Sequence, residues 1–193
     1  MKNISSVLLI SALAFNYSCT TMKTNDIKQE MPVPDASLSS NPFMKKSKLQ
    51  YEAPEFDKIK NEHFKPAFEF GLKQHDAEIL KIANNSEAAT FENTIVALEK
   101  SGEVLKRTVI TFSNLTSANT NPTLQALDEE YAPIFAAHSD KMFLNENLYK
   151  RIKSITENGL DSESKRLLQF YKQNFEIAGA NLSAADKEKF RLA

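Results

Sequence analysis

Residues 90–121, TFENTIVALEKSGEVLKRTVITFSNLTSANTN, decide the fold. Ile95, Leu98, Leu105, Val109, Phe112 and Leu115 recur there at helical spacing, the mark of one buried face. Glu99, Lys100, Glu103, Lys106 and Arg107 fill the remaining positions as a solvated face. Thr90 is a good N-cap, and Asn93 stands where a capping-box partner belongs, though a weaker one than Glu. The pattern predicts one long amphipathic helix with a polar end. Gly102 interrupts the stripe; it either admits a neighbouring helix or weakens this one.

The same period continues on both sides. Upstream, Phe64, Phe68, Leu72, His75, Ile79 and Ile82 predict a helix starting near residues 61–64 and stopping at Asn84-Asn85-Ser86. Pro66 suits its first turn, where an N–H has no intrahelical partner. Gly71 costs helix propensity, so it marks close packing of helices. Downstream, Asn121-Pro122 is a start signal, and Leu124, Leu127, Tyr131, Phe135 and Met142 share a face. Pro133 predicts a kink or two helices within that run. Asn145 opens the next helix, with Leu148, Ile152 and Ile155 inward, and Asn158-Gly159 stops it. Asp161 or Ser162 begins another, carrying Leu167, Phe170, Tyr171, Phe175 and Ile177. Ser183 starts a final pattern with Asp186 as its capping acid. An all-α array of about six amphipathic helices is expected over residues 51–193, as part of a larger folding unit.

The N-terminus is of another kind. Residues 7–15, VLLISALAF, follow Lys2 and are too short for an ordinary membrane span. Ser18 and Cys19 come next, and Cys19 is the only cysteine, so no intrachain disulfide is available. Residues 1–19 resemble a bacterial lipoprotein signal with Cys19 as the lipidated residue. Asn16 and Tyr17 are atypical of that pattern, and the alternative is an ordinary cleaved signal with Cys19 incidental. The expectation is an exported, membrane-anchored lipoprotein on the periplasmic or cell-surface side. Residues 20–50 are polar, with Pro32, Pro34 and Pro42 against helix, and predict a flexible tether. Phe43 is the first residue expected to dock on the folded part. Lys45, Lys46 and Lys48 fit a solvated linker better than a lipid-binding patch.

Chemistry is scarce. The chain of 193 residues carries 24 basic and 25 acidic side chains, a net charge of -1, so no nucleic acid partner is indicated. His63, His75 and His138 are its histidines, and none lies in an HExxH motif. Asp76 and Glu78 follow His75 but do not share its helix face, which leaves a packed or surface histidine. His138-Ser139-Asp140 has the letters of a triad, yet consecutive side chains diverge. Glu87, Glu92 and Glu99 have the character of surface acids. No catalytic or metal-ligating residue is assigned.

Six segments carry a resemblance through their order: NPF at 41–43, HFKPAFEFGLKQHDAEILKIANN at 63–85, TFENTIVALEKSG at 90–102, FSNLTSANTN at 112–121, YAPIFAAHSDKMFLN at 131–145 and LLQFYKQNFEIAGANL at 167–182. Together they resemble the N-terminal helical region of the M3 family of zinc metallopeptidases, the thimet oligopeptidase group. Within it they resemble the peptidyl-dipeptidase, or dipeptidyl carboxypeptidase, branch. The family holds zinc with an HExxH helix and a later glutamate, all downstream of this region. Nothing here matches that motif, so the resemblance places no zinc or catalytic role on His63, His75 or His138. It implies that this chain binds no cofactor itself and that zinc belongs to a complete family member. The family's N-terminal helices help enclose a channel for short peptides, and this chain would supply part of that wall. The partners implied are short peptides through a complete enzyme, a catalytic region beyond these residues, and a membrane surface through Cys19. Two alternatives are a stand-alone peptide-binding or scaffold lipoprotein, and a non-catalytic half that assembles with a separate HExxH-bearing chain.

Overall fold

A computed structural model describes residues 31–183 and residue 186. The described residues are all-α, with no strand among them. Helices α1 (Phe64–Ala83), α2 (Ala97–Glu99), α3 (Glu103–Ala118), α4 (Pro122–Phe143), α5 (Glu146–Ser154) and α6 (Ser162–Ile177) follow one another through short connections. Capping chemistry explains three of these six starts. Asn121, Asn145 and Asp161 each accept a hydrogen bond from the backbone N–H three residues on, at 3.1, 3.0 and 2.8 Å.

The run 90–121 is not one helix. A π-helical stretch, Phe91–Val96, leads into α2, and the chain then breaks before α3. Gly102 is responsible, with a left-handed φ of 67° that a helix interior does not allow. The predicted cap at Thr90 forms, and Asn93 serves it fully. Thr90 Oγ1 accepts from Asn93 N at 3.0 Å, and Asn93 Oδ1 accepts from Thr90 N at 2.9 Å. Pro133 does not divide α4, which is helical from Pro122 to Phe143.

Part of the segment 31–50 packs on the helices. Residues 20–30 lie outside the described residues. Short 3-10 turns at Leu38–Ser40 and Pro42–Met44 precede Gln50, and Phe43 is buried at 2% exposure. Its ring lies 5.2 Å from that of Phe64. Asn41 binds the segment down, donating from Nδ2 to the His63 carbonyl at 2.8 Å. Arg107 Nε donates to the Phe43 carbonyl at 2.8 Å. Proline content signalled an absence of long helix here, which differs from an absence of packing.

Two apolar cores hold the array together. One gathers Phe43, Phe64, Phe68, Phe112, Leu124 and Tyr131. The other gathers Ile79, Ile95, Leu98, Leu148, Ile152 and Phe175. Helix α1 belongs to both: its Phe64–Phe68 turn feeds the first and Ile79–Ile82 the second. His75 sits on α1 between the two.

Candidate functional site

The polar cluster between the cores begins with His75. Its place on the inward stripe of α1 follows from helical spacing to Phe68, Leu72 and Ile79. On α4, His138 falls one turn after Phe135 and one before Met142, again on an inward face. The two rings meet with His75 Nδ1 2.9 Å from His138 Nε2. Each ring then reaches outward. His138 Nδ1 lies 3.2 Å from Asp76 Oδ1, and His75 Nε2 lies 3.1 Å from Ser101 Oγ. Lys141 Nζ holds the other Asp76 oxygen at 2.7 Å. A continuous chain, Ser101–His75–His138–Asp76, therefore joins the α2–α3 break to α1 and α4.

Electrostatics favour neutral rings. Burial, reinforced by His138 beside it, pulls His75 down to about 4. Burial also pulls His138 below the ordinary histidine value; Asp76 opposes that and Lys141 adds to it. The neutral pair has one fully bonded arrangement. Ser101 O–H donates to His75 Nε2, His75 Nδ1–H to His138 Nε2, and His138 Nδ1–H to the Asp76 carboxylate.

Such a chain has the components of an activated serine, but its surroundings do not suit acyl transfer. The amide after Ser101, Gly102 N–H, donates to Glu78 Oε2 at 2.6 Å. A carboxylate thus occupies the donor that an oxyanion would require. His75 is also too weak a base at neutral pH to activate a hydroxyl well. Nor do the residues fit zinc. The two rings spend one nitrogen each on one another, and their remaining nitrogens face Ser101 and Asp76. Among the described residues no group of three or more His, Cys, Asp or Glu could hold a metal ion.

The other sequence candidates lie apart. His63 Nδ1 accepts from Lys60 N at 3.1 Å, closing the turn before α1. Lys46 pairs with Glu52 and Glu103 at 3.6 and 3.3 Å. Asp76, excluded as a neighbour of His75, reaches His138 instead, and Glu78 reaches Gly102. Cys19 lies outside the described residues. No helix among those residues is long and apolar enough to cross a membrane. The pairing of His75 with His138 was missed because it spans 63 residues of sequence. One signal was available: both fall on inward stripes otherwise filled by apolar side chains.

Comparisons with known proteins extend well past this cluster. No family model matches the chain. Dipeptidyl carboxypeptidase of Escherichia coli (strain K12) is 44% identical over 156 residues, which cover 79% of this chain and 23% of that protein. The Salmonella typhimurium dipeptidyl carboxypeptidase is 41% identical over 159 residues, or 80% of this chain and 23% of its own length. Oligopeptidase A of Escherichia coli is 24% identical over 144 residues. The chain therefore spans about a quarter of the length of the curated relatives it matches. At that identity, across about four-fifths of its length, the chain is homologous to the bacterial dipeptidyl carboxypeptidases, which are M3 metallopeptidases.

Proposed function

We propose that this chain forms a non-catalytic, N-terminal part of an exported zinc metallopeptidase of the dipeptidyl carboxypeptidase type. The observation that carries the reading is 44% identity confined to 23% of the relative's length. In a complete enzyme these helices would wall a channel for short peptides, and the enzyme would release dipeptides from peptide C-termini. Zinc and the water-activating glutamate would come from beyond these residues, because no HExxH occurs within them. Purified residues 1–193 should leave short peptides intact. Hydrolysis that is abolished by a chelator and restored by zinc would overturn the non-catalytic assignment.

Residues 1–19 support export with lipidation at Cys19. A short apolar core ending at Ser18-Cys19 is the basis for this. Two or more acyl chains would hold the protein at a membrane surface without a spanning helix. Labelled palmitate should enter the wild-type protein in its native host and not the Cys19→Ala variant. Equal labelling of both would remove Cys19 from the proposal.

A further inference from the structure

We propose that His75 and His138 form an acid-sensitive latch that holds the C-terminal half of α4 against α1 and the α2–α3 break. The argument goes beyond the peptidase reading and does not depend on it. It starts from proton accounting along four atoms. With both rings neutral, one N–H lies between His75 Nδ1 and His138 Nε2, and every group in the chain is bonded. One added proton is accommodated by reversing the chain. His138 then donates from both nitrogens, to Asp76 and to His75. His75 Nε2–H turns to Ser101, and the Ser101 hydroxyl turns to the Leu98 carbonyl, which lies 2.7 Å away. A second proton has no such place. It puts two N–H groups face to face across 2.9 Å and two cations in contact.

The groups around the pair sharpen this response. From α1, Asp76 faces His138 and Glu78 holds the Gly102 amide. From α4, Lys141 shares Asp76 and opposes any further positive charge. Lys81 and Lys100 lie with Glu78 and Ser101 around a groove of about 430 Å³ at the open end of the chain. The charges that bear on the rings are Asp76, which favours a proton, and Lys141, which opposes one, so a doubly protonated pair has little net compensation. On either side of the pair α4 has other anchors: Tyr131 and Phe135 pack on Phe68, and Phe143 packs on Phe175 at 5.2 Å. Loss of the latch therefore loosens α4 locally, at His138 and Lys141, between the Phe68 contacts and the Phe143–Phe175 contact.

The sign follows from linkage. Both histidines bind protons more weakly folded than unfolded. Stability is complete above about 6.5, the unfolded value, and is lost as pH falls through the lowered folded values. The test is a thermal melt of the full chain between pH 7.5 and 5, above the ordinary carboxylate range. The wild type should lose roughly 4–8 °C across that window. His138→Gln, which removes the titrating partner, should lose less than half as much. An equal loss in both, or no loss in the wild type, overturns the latch. If His138→Gln does not fold, histidine NMR titration of the wild type decides. Coupled, two-step titration of His75 and His138 below the ordinary value supports the latch. Independent titration of both near the ordinary value overturns it.

Discussion

Gly71 and Leu105 meet backbone to backbone. A Cβ built on Gly71 would lie 2.9 Å from both the Cα and the N of Leu105. Contact this close cannot relax by swinging a side chain, because the opposing atoms are main chain. Helices α1 and α3 are thus held at a separation only glycine permits. Gly71→Ala gains roughly 1 kcal/mol of helix propensity and loses about 1–3 kcal/mol to overpacking. The loss should win, because backbone must move. Urea denaturation should show a lower midpoint with an unchanged slope; a more stable variant would disprove the close contact.

Phe68 is the hub of the first core. It is fully buried, and its ring lies 5.2 Å from Phe112, 4.9 Å from Tyr131 and 5.0 Å from Phe135. These contacts join α1, α3 and α4 in one place. Phe68→Ala should cost about 3–5 kcal/mol, a large share of the stability of a domain this size. Phe68→Leu should cost well under half of that, since most of the volume remains. Equal costs for the two would argue that the aromatic geometry, not filled space, governs this core.

Much of this architecture was legible because helices announce themselves locally. The caps at Thr90, Asn121, Asn145 and Asp161 need only a side chain and an N–H a turn away, and all four form. Gly71 was recognised as a contact point, though its partner Leu105 was not. What escaped depends on tertiary context. In sequence Gly102 reads equally as packing or weakening; the His75 ring, 2.9 Å from where a Cβ would lie, is a tertiary neighbour. Residues 41–44 fall within the expected tether, and Phe43, the first residue expected to dock, is buried there; the Asn41 and Arg107 bonds that fix it are tertiary. Asn158-Gly159 was expected to end α5, which instead stops at Ser154, with buried Ile155 already extended at ψ 126°. The histidine pair is the clearest case, since no local pattern states which inward residues of α1 and α4 face each other.

Arg151 fastens α5 to the segment leading into the π-helical turn. Nη1 donates to the Asn85 and Glu87 carbonyls at 2.6 and 2.8 Å. Nη2 donates to Asn93 Oδ1 and Thr94 Oγ1 at 3.0 and 3.3 Å. These are four oxygens from one short stretch, and none belongs to a carboxylate. The planar fork is what reaches all of them, so lysine cannot replace it. Arg151→Lys should cost about 2–3 kcal/mol, close to the cost of Arg151→Ala. Amide exchange should quicken across residues 85–94 in both variants while α3 stays protected. Full stability in Arg151→Lys would mean that charge alone suffices.

Gly102 is constrained twice, and the two constraints can be separated. Its φ of 67° penalises any side chain, and a Cβ would lie 2.9 Å from Cγ of the His75 ring. Left-handed strain for alanine is worth roughly 1–2 kcal/mol. The clash with a half-buried ring adds a cost that belongs to the pair, because the ring cannot retreat without leaving His138 and Ser101. Gly102→Ala should therefore be more destabilising in the wild type than in a His75→Ala background, where the ring is gone. A double-mutant cycle should return a coupling of about 0.5–2 kcal/mol. A coupling of zero would mean that backbone strain alone keeps glycine at this break, and that His75 is free to move aside.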